Sequence, residues 1–137
     1  MPYATFTLAY WCVLVAALLP IVCAGIAKWG MFTKPPKEGG FDNANPRAWL
    51  ARQTDWRARA NAAQANSFEA LPFFIGAVLI AQQLGAPQQR LDWLALLYIV
   101  LRLAYVLAYV ADLPRLRTPV WVSAFAVNVA IVLIGYR

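Results

Sequence analysis

The sequence predicts an all-α protein, a four-helix bundle integral to a membrane. Three observations carry this reading. Of the 137 residues 62% are apolar, and the mean hydropathy of +0.56 is too high for an ordinary soluble domain. Four stretches approach or exceed the ~20 mostly apolar residues that a transmembrane helix needs: about 5–27, 57–84, 91–111 and 118–136. The charged residues collect between those stretches. Four spans use almost the whole length, so residues 1–137 read as a single membrane domain with no room for a second.

Span one has no basic segment ahead of it, a long apolar run, and its positive charge after the run, at Lys28 and Lys34. This is the reverse of a secretory signal peptide, so the segment reads as a permanent helix. Pro20 is expected to kink it, which neighbouring helices tolerate in a membrane. Cys12 and Cys23 lie about 16 Å apart along such a helix and cannot bridge each other; they read as small buried groups.

The only long polar stretch follows, from Gly30 to Asp55. Pro35-Pro36 and Gly39-Gly40 forbid a continuous helix there. Asp42, Asn43 and Asn45 are turn formers, and Pro46 can start a short helix carrying Arg47, Trp49, Leu50 and Arg52. That helix reads as amphipathic and lying at the membrane interface, or as a cover for a site at the bundle mouth. Trp29, Trp56, Trp93 and Tyr136 sit near span ends, as aromatic belts do.

Span two begins with the run RARANAAQANSFEALPFF, from Arg57 to Phe74. At 100° per residue Asn66 lies about 20° from Arg59, and Glu69 about 80° round on the same side. On span three Arg102, Tyr105 and Tyr109 repeat at i, i+3 and i+7 and share a face, which Asp112 extends to the helix end. Arg117 begins span four. Glu69 and Arg102 both fall roughly 15–18 Å from the loop end of their helices. Ionisable groups at such depth are costly unless paired and mark functional sites by default. A Glu69–Arg102 ion pair inside the bundle therefore satisfies both. These groups either lock the helices together or face a ligand. For Arg59 and Arg117, nearer the mouth, a row of Arg with Tyr and Asn groups suits an anionic, polar, extended ligand.

The net charge of +6 is mostly a topology signal. Lys28, Lys34, Lys37, Arg47, Arg52, Arg57 and Arg59 border or fill the first connection, and Arg115 and Arg117 the third. The second connection has Arg90 alone, and the N-terminal arm has none. This asymmetry puts the long first loop in the cytoplasm and both termini outside, with a secondary attraction for anionic lipid. No separate basic face is left for nucleic acid. There is no histidine, no Cys or acidic cluster with metal spacing, no phosphate-cradling Gly loop and no Ser/base pair, so no metal site is expected.

The segment FDNANPR (Phe41–Arg47), the pattern RxxxxxxNxxE from Arg59 through Asn66 to Glu69 with its following Pro-Phe, RLAYVLAY (Arg102–Tyr109) and LRTPVW (Leu116–Trp121) together resemble the MAPEG family, membrane-associated proteins in eicosanoid and glutathione metabolism. The resemblance, to a bacterial-type member, runs over the whole chain. It implies a homotrimer of four-helix bundles in contact with membrane lipids, with glutathione as co-substrate in a cleft between subunits, open to the cytoplasm. By it, Arg59, Asn66, Glu69, Arg102, Tyr105 and Tyr109 are binding or supporting residues. Arg117 is the catalytic candidate, holding the glutathione thiol as thiolate for attack on a lipophilic electrophile. Catalytic eukaryotic members carry Arg, His, Arg and Tyr where this chain has Ala62, Gln64, Ala65 and Trp121. The expected function is a glutathione-dependent transferase or peroxidase; a non-catalytic lipid-binding member and a small multidrug transporter are the alternatives.

Overall fold

A computed structural model describes residues 5–136. Among them there are five α-helices and no strands. Four are long and apolar enough to cross a membrane: α1 (Leu8–Lys28), α3 (Asp55–Gln83), α4 (Gln88–Val110) and α5 (Pro114–Leu133). The fifth, α2 (Pro46–Ala51), lies in the long connection. The chain runs up and down, so α1 ends, α3 begins, α4 ends and α5 begins at one end of the bundle, here the loop end. The α3–α4 pair forms the centre, with α1 packed on both and α5 on both.

Small residues make this close packing possible. Ala60, Ala63, Ser67, Ala77 and Ala81 are the buried side of α3, and Ala9, Cys12, Ala16, Cys23 and Ala27 that of α1. Between membrane helices, which gain no hydrophobic drive from lipid, such residues let backbones approach and gain contact. Larger groups fill the gaps: Phe74 stacks on Tyr98 with centroids 4.1 Å apart, and Leu91 and Ile131 are fully buried. Both cysteines are buried and free. α1 is continuous through Pro20.

One span boundary differs from the sequence expectation in a way that matters for the site, the start of the fourth span. The fourth helix starts at Pro114, not near 118, because proline suits the first helical position, where its missing N–H costs nothing. Arg117 therefore sits one turn inside α5. The third helix ends in a turn where the Asp112 N–H donates to Tyr109 O (3.1 Å) and the Leu113 N–H to Ala108 O (2.8 Å). Asp112 takes the left-handed conformation this turn requires, with φ of 60°.

The long connection is ordered around aromatic rings. Phe41 meets Phe32 and Trp49 edge to face at 5.5 and 5.3 Å, and the Lys28 ammonium lies 4.5 Å over the Phe41 ring. Trp49 Nε1 donates to Gly39 O at 3.3 Å. At Gly40 a Cβ would collide with the Lys34 carbonyl, so only glycine lets the loop fold back here. α2 does not lay its apolar face on the bilayer. Trp49 and Leu50 are buried against Ala27 and Ala60 at the ends of α1 and α3, since the small side chains there leave a seat for the indole.

At the far end three helices are tied by one polar chain. Gln82 of α3 donates to Gln88 Oε1 (2.7 Å), and Gln88 Nε2 donates to Asp92 Oδ1 (2.8 Å). The same Asp92 oxygen accepts the Ala9 backbone N–H at 3.0 Å. A carboxylate from α4 thus caps the N-terminus of α1, where the helix dipole favours negative charge.

Candidate functional site

The polar residues of the loop half form a row from the buried centre to the mouth. Arg102 is 3% exposed. Its Nη2 donates to Asn66 Oδ1 at 2.7 Å and to Ser67 Oγ at 3.4 Å, and its guanidinium lies 4.4 Å over the Tyr105 ring. Tyr105 meets Tyr109 edge to face at 5.8 Å, and the Arg117 guanidinium lies 4.3 Å over the Tyr109 ring. Two touching rings therefore lie between two cations along α4 and the start of α5. Each cation–ring contact contributes about 0.5–2 kcal/mol, more where water is excluded.

The Glu69–Arg102 ion pair does not form. Arg102 is held by neutral partners, and Glu69 is exposed on the surface of the protomer. Helix rotation explains the difference. The buried side of α3 is centred on Ala60, Ala63 and Ser67, and Glu69 stands about 160° from Ser67 at 100° per residue. Turning Asn66 and Ser67 toward α4 turns Glu69 away from it.

Arg59 is also placed differently from a cleft residue. Its Nε donates to Val110 O at 3.0 Å, and Arg57 donates to Ala27 O at 3.0 Å. Both arginines, from the first turns of α3, thus satisfy carbonyls at the C-terminal ends of α4 and α1, where a helix has unpaired acceptors and negative dipole charge.

What remains is a cleft of about 240 Å³ lined by Asn66, Tyr105, Arg117, Thr118 and Trp121. Arg102 lies directly behind Asn66 and Tyr105. Three of the expected residues, Asn66, Tyr105 and Arg117, thus meet in one cleft, with Arg102 and Tyr109 supporting two of its walls. Among the described residues no group of His, Cys, Asp and Glu could hold a metal ion.

Sequence reasoning had not singled out Ser67, Thr118, Tyr98 or Asn128. Tyr98 is four residues before Arg102 and so shares its face. Asn128 is a single amide in the apolar run FAVNVAIVL, and a polar group alone in a membrane helix signals an interhelical role. Ser67 and the alanines at 60 and 63 form a small-residue stripe that marks the packed side of α3.

The family model for MAPEG matches residues 8–136, nearly the entire chain. The chain belongs to the MAPEG family. Neither curated proteins nor solved structures give a match to it. The match includes every residue of the cleft, and membership places the protein in a family of membrane proteins associated with glutathione and lipid metabolism. A four-helix MAPEG bundle accounts for the spans and for the polar row more directly than a multidrug transporter does.

Proposed function

We propose that this MAPEG protein binds glutathione at the Asn66–Tyr105–Arg117 cleft and joins it whole, through its thiolate sulfur, to a lipophilic electrophile that arrives from the bilayer, or reduces a lipid hydroperoxide while two glutathiones leave as the disulfide. The observation that carries the reading is the charge state of the site. Arg102 is buried with neutral partners only, and Arg117 flanks an open cleft beside it. Such an unbalanced positive site, where water is scarce, favours an anion. Glutathione brings two carboxylates, and its thiol becomes a third anion on ionising. A guanidinium within reach of the sulfur favours the thiolate, the nucleophilic form. Arg117 takes this role: it lines the cleft and, near the N-terminus of α5, opposes the helix dipole, a cost of about 0.3–1 kcal/mol that a bound anion relieves.

The cleft's size suits a site that a neighbouring subunit completes, as in a homotrimer. Small-molecule sites usually enclose about 300–1,000 Å³, and one protomer offers about 240 Å³. Glu69, exposed and in no ion pair among the described residues, is then placed to accept the ligand ammonium. With the long basic loop in the cytoplasm and both termini outside, the cleft opens toward cytoplasmic glutathione. Trp121, where a tyrosine would donate a hydrogen bond, favours a second reading, lipid binding without turnover.

The test is calorimetric and thermal-shift titration of the purified protein with glutathione. Binding at millimolar ligand should raise the unfolding temperature, by mass action on the folded state. No stabilisation and no heat of binding would move the assignment to lipid binding.

A further inference from the structure

A second, deeper cavity of about 30 Å³ lies where α3, α4 and α5 meet. Its polar walls are Tyr98, Arg102 and Asn128, and its apolar ones include Trp121 and Phe125. Trp121 also lines the outer cleft, so one indole is shared by the two spaces. A water takes about 10–15 Å³ on this measure, so the cavity has room for about two waters or one small ion, and none for a tripeptide. Tyr98, Arg102 and Asn128 are each 3% exposed. Arg102 makes both of its hydrogen bonds through Nη2, to Asn66 and Ser67, which leaves the N–H groups of Nε and Nη1 to give. Tyr98 and Asn128 are hydrogen-bonded to each other. That bond uses one N–H or O–H group, so whichever side chain donates, further donors remain on the pair.

We propose that this cavity binds a chloride ion. Its wall carries one full positive charge, which a guanidinium keeps at any ordinary pH. Among the described residues Arg102 forms no ion pair; its partners are an amide, a hydroxyl and a ring. A charge left unbalanced at this depth in a membrane protein is costly. Water would accept from the same N–H groups, but it leaves the charge as it is. A halide accepts from every donor in the wall, needs none of its own satisfied, and balances the guanidinium. Sulfate would bring a second charge and more acceptors than these three side chains answer. The way in is from the outer cleft past Trp121, which is 38% exposed, so the ion comes from water and not from the bilayer. It acts as the counter-ion of Arg102 and holds the bundle centre together, with no need of glutathione in the outer cleft.

The experiment uses full-length protein in a neutral detergent without glutathione. Sodium gluconate, whose anion is too large for the cavity, is exchanged for sodium chloride at constant ionic strength, so that general screening is unchanged. Chloride should raise the unfolding temperature saturably, by mass action on the folded state, and bromide should replace it. Asn128→Leu should weaken the apparent chloride affinity about tenfold, the weight of one hydrogen bond to a charged group. Tyr98→Phe keeps the ring stacked on Phe74 and removes either a donor to the ion or the bond that orients Asn128; it should weaken chloride several-fold. Arg117→Ala, in the outer cleft, should leave the chloride affinity within about twofold. Anomalous scattering from bromide-soaked crystals of the wild type should place the ion between Arg102 and Asn128, whichever variants fold. Equal stabilisation by gluconate, a bromide peak in the outer cleft alone, or a chloride effect lost in Arg117→Ala and kept in the inner variants would each overturn the assignment; the first would leave water as the cavity's occupant.

Discussion

At the end of the bundle away from the long loop, α3 passes to α4 through a left-handed residue at Gly85, with φ of 69°. The Gly85 N–H donates to Gln82 O and the Ala86 N–H to Ala81 O. At the loop end α4 passes to α5 through the same hydrogen-bond pattern, but the left-handed residue is Asp112. Glycine adopts this conformation without penalty, whereas a residue with a Cβ is strained by about 1–2 kcal/mol, less for Asp. The polar side chains follow the same division. The Gln82–Gln88–Asp92 chain ends on a carboxylate that answers a helix N-terminus. The Arg102–Tyr105–Tyr109–Arg117 row is open and cationic, and among the described residues neither arginine forms an ion pair. One end is built to hold the bundle together, and the other keeps charge and strain beside a cleft, as functional sites do.

Substitutions should separate the two ends. The largest stability effect is expected from Asp92→Ala, which leaves the Ala9 N–H and the Gln88 amide without their acceptor. Chemical or thermal unfolding in detergent should show a loss of about 2–3 kcal/mol, with glutathione affinity unchanged. A loss of affinity as well would mean that the ends are coupled. Arg117→Ala should do the opposite. Calorimetry should show glutathione binding weakened about 10- to 100-fold, as expected for a lost charge-assisted contact, at nearly constant stability.

Double-mutant cycles sharpen the picture inside the open end. Asn66→Ala and Arg102→Ala should be non-additive, with a coupling of about 1 kcal/mol. Glu69→Ala and Arg102→Ala should be additive in a monomeric, detergent-dispersed form, because the two side chains do not pair. The smallest effect belongs to Asp112→Gly, which should raise stability by about 0.5 kcal/mol by relieving the left-handed strain. A drop instead would show that the Asp112 carboxylate holds something at the mouth.

Much of this architecture is legible in the sequence, and the failures have a common cause. The long apolar runs announce the four spans, and Arg102, Tyr105 and Tyr109 do share a face, because both properties belong to one helix at a time. The partner of Arg102 depends on how α3 is rotated against α4. Charge favoured Glu69, but the small residues Ala60, Ala63 and Ser67 decide the rotation by packing, and they bring Asn66 and Ser67 to the guanidinium instead. Arg59 drops out of the cleft for a related reason: the end of α4 presents an unpaired carbonyl within its reach. The pattern around Trp49 and Leu50 suits either an amphipathic helix against lipid or a cover for the bundle mouth, and the seat that buries them is made by residues on two other helices. Periodicity gives faces; it does not say which faces meet.

The most direct test of the central claim is the ultraviolet absorbance of the thiolate when glutathione is mixed with the protein at neutral pH. A guanidinium that holds the sulfur as an anion should produce an absorbance rise in the wild type and in Asp92→Ala, and none in Arg117→Ala. No rise in the wild type with glutathione bound, or a rise that survives Arg117→Ala, would contradict the assignment of the open end as a thiolate site.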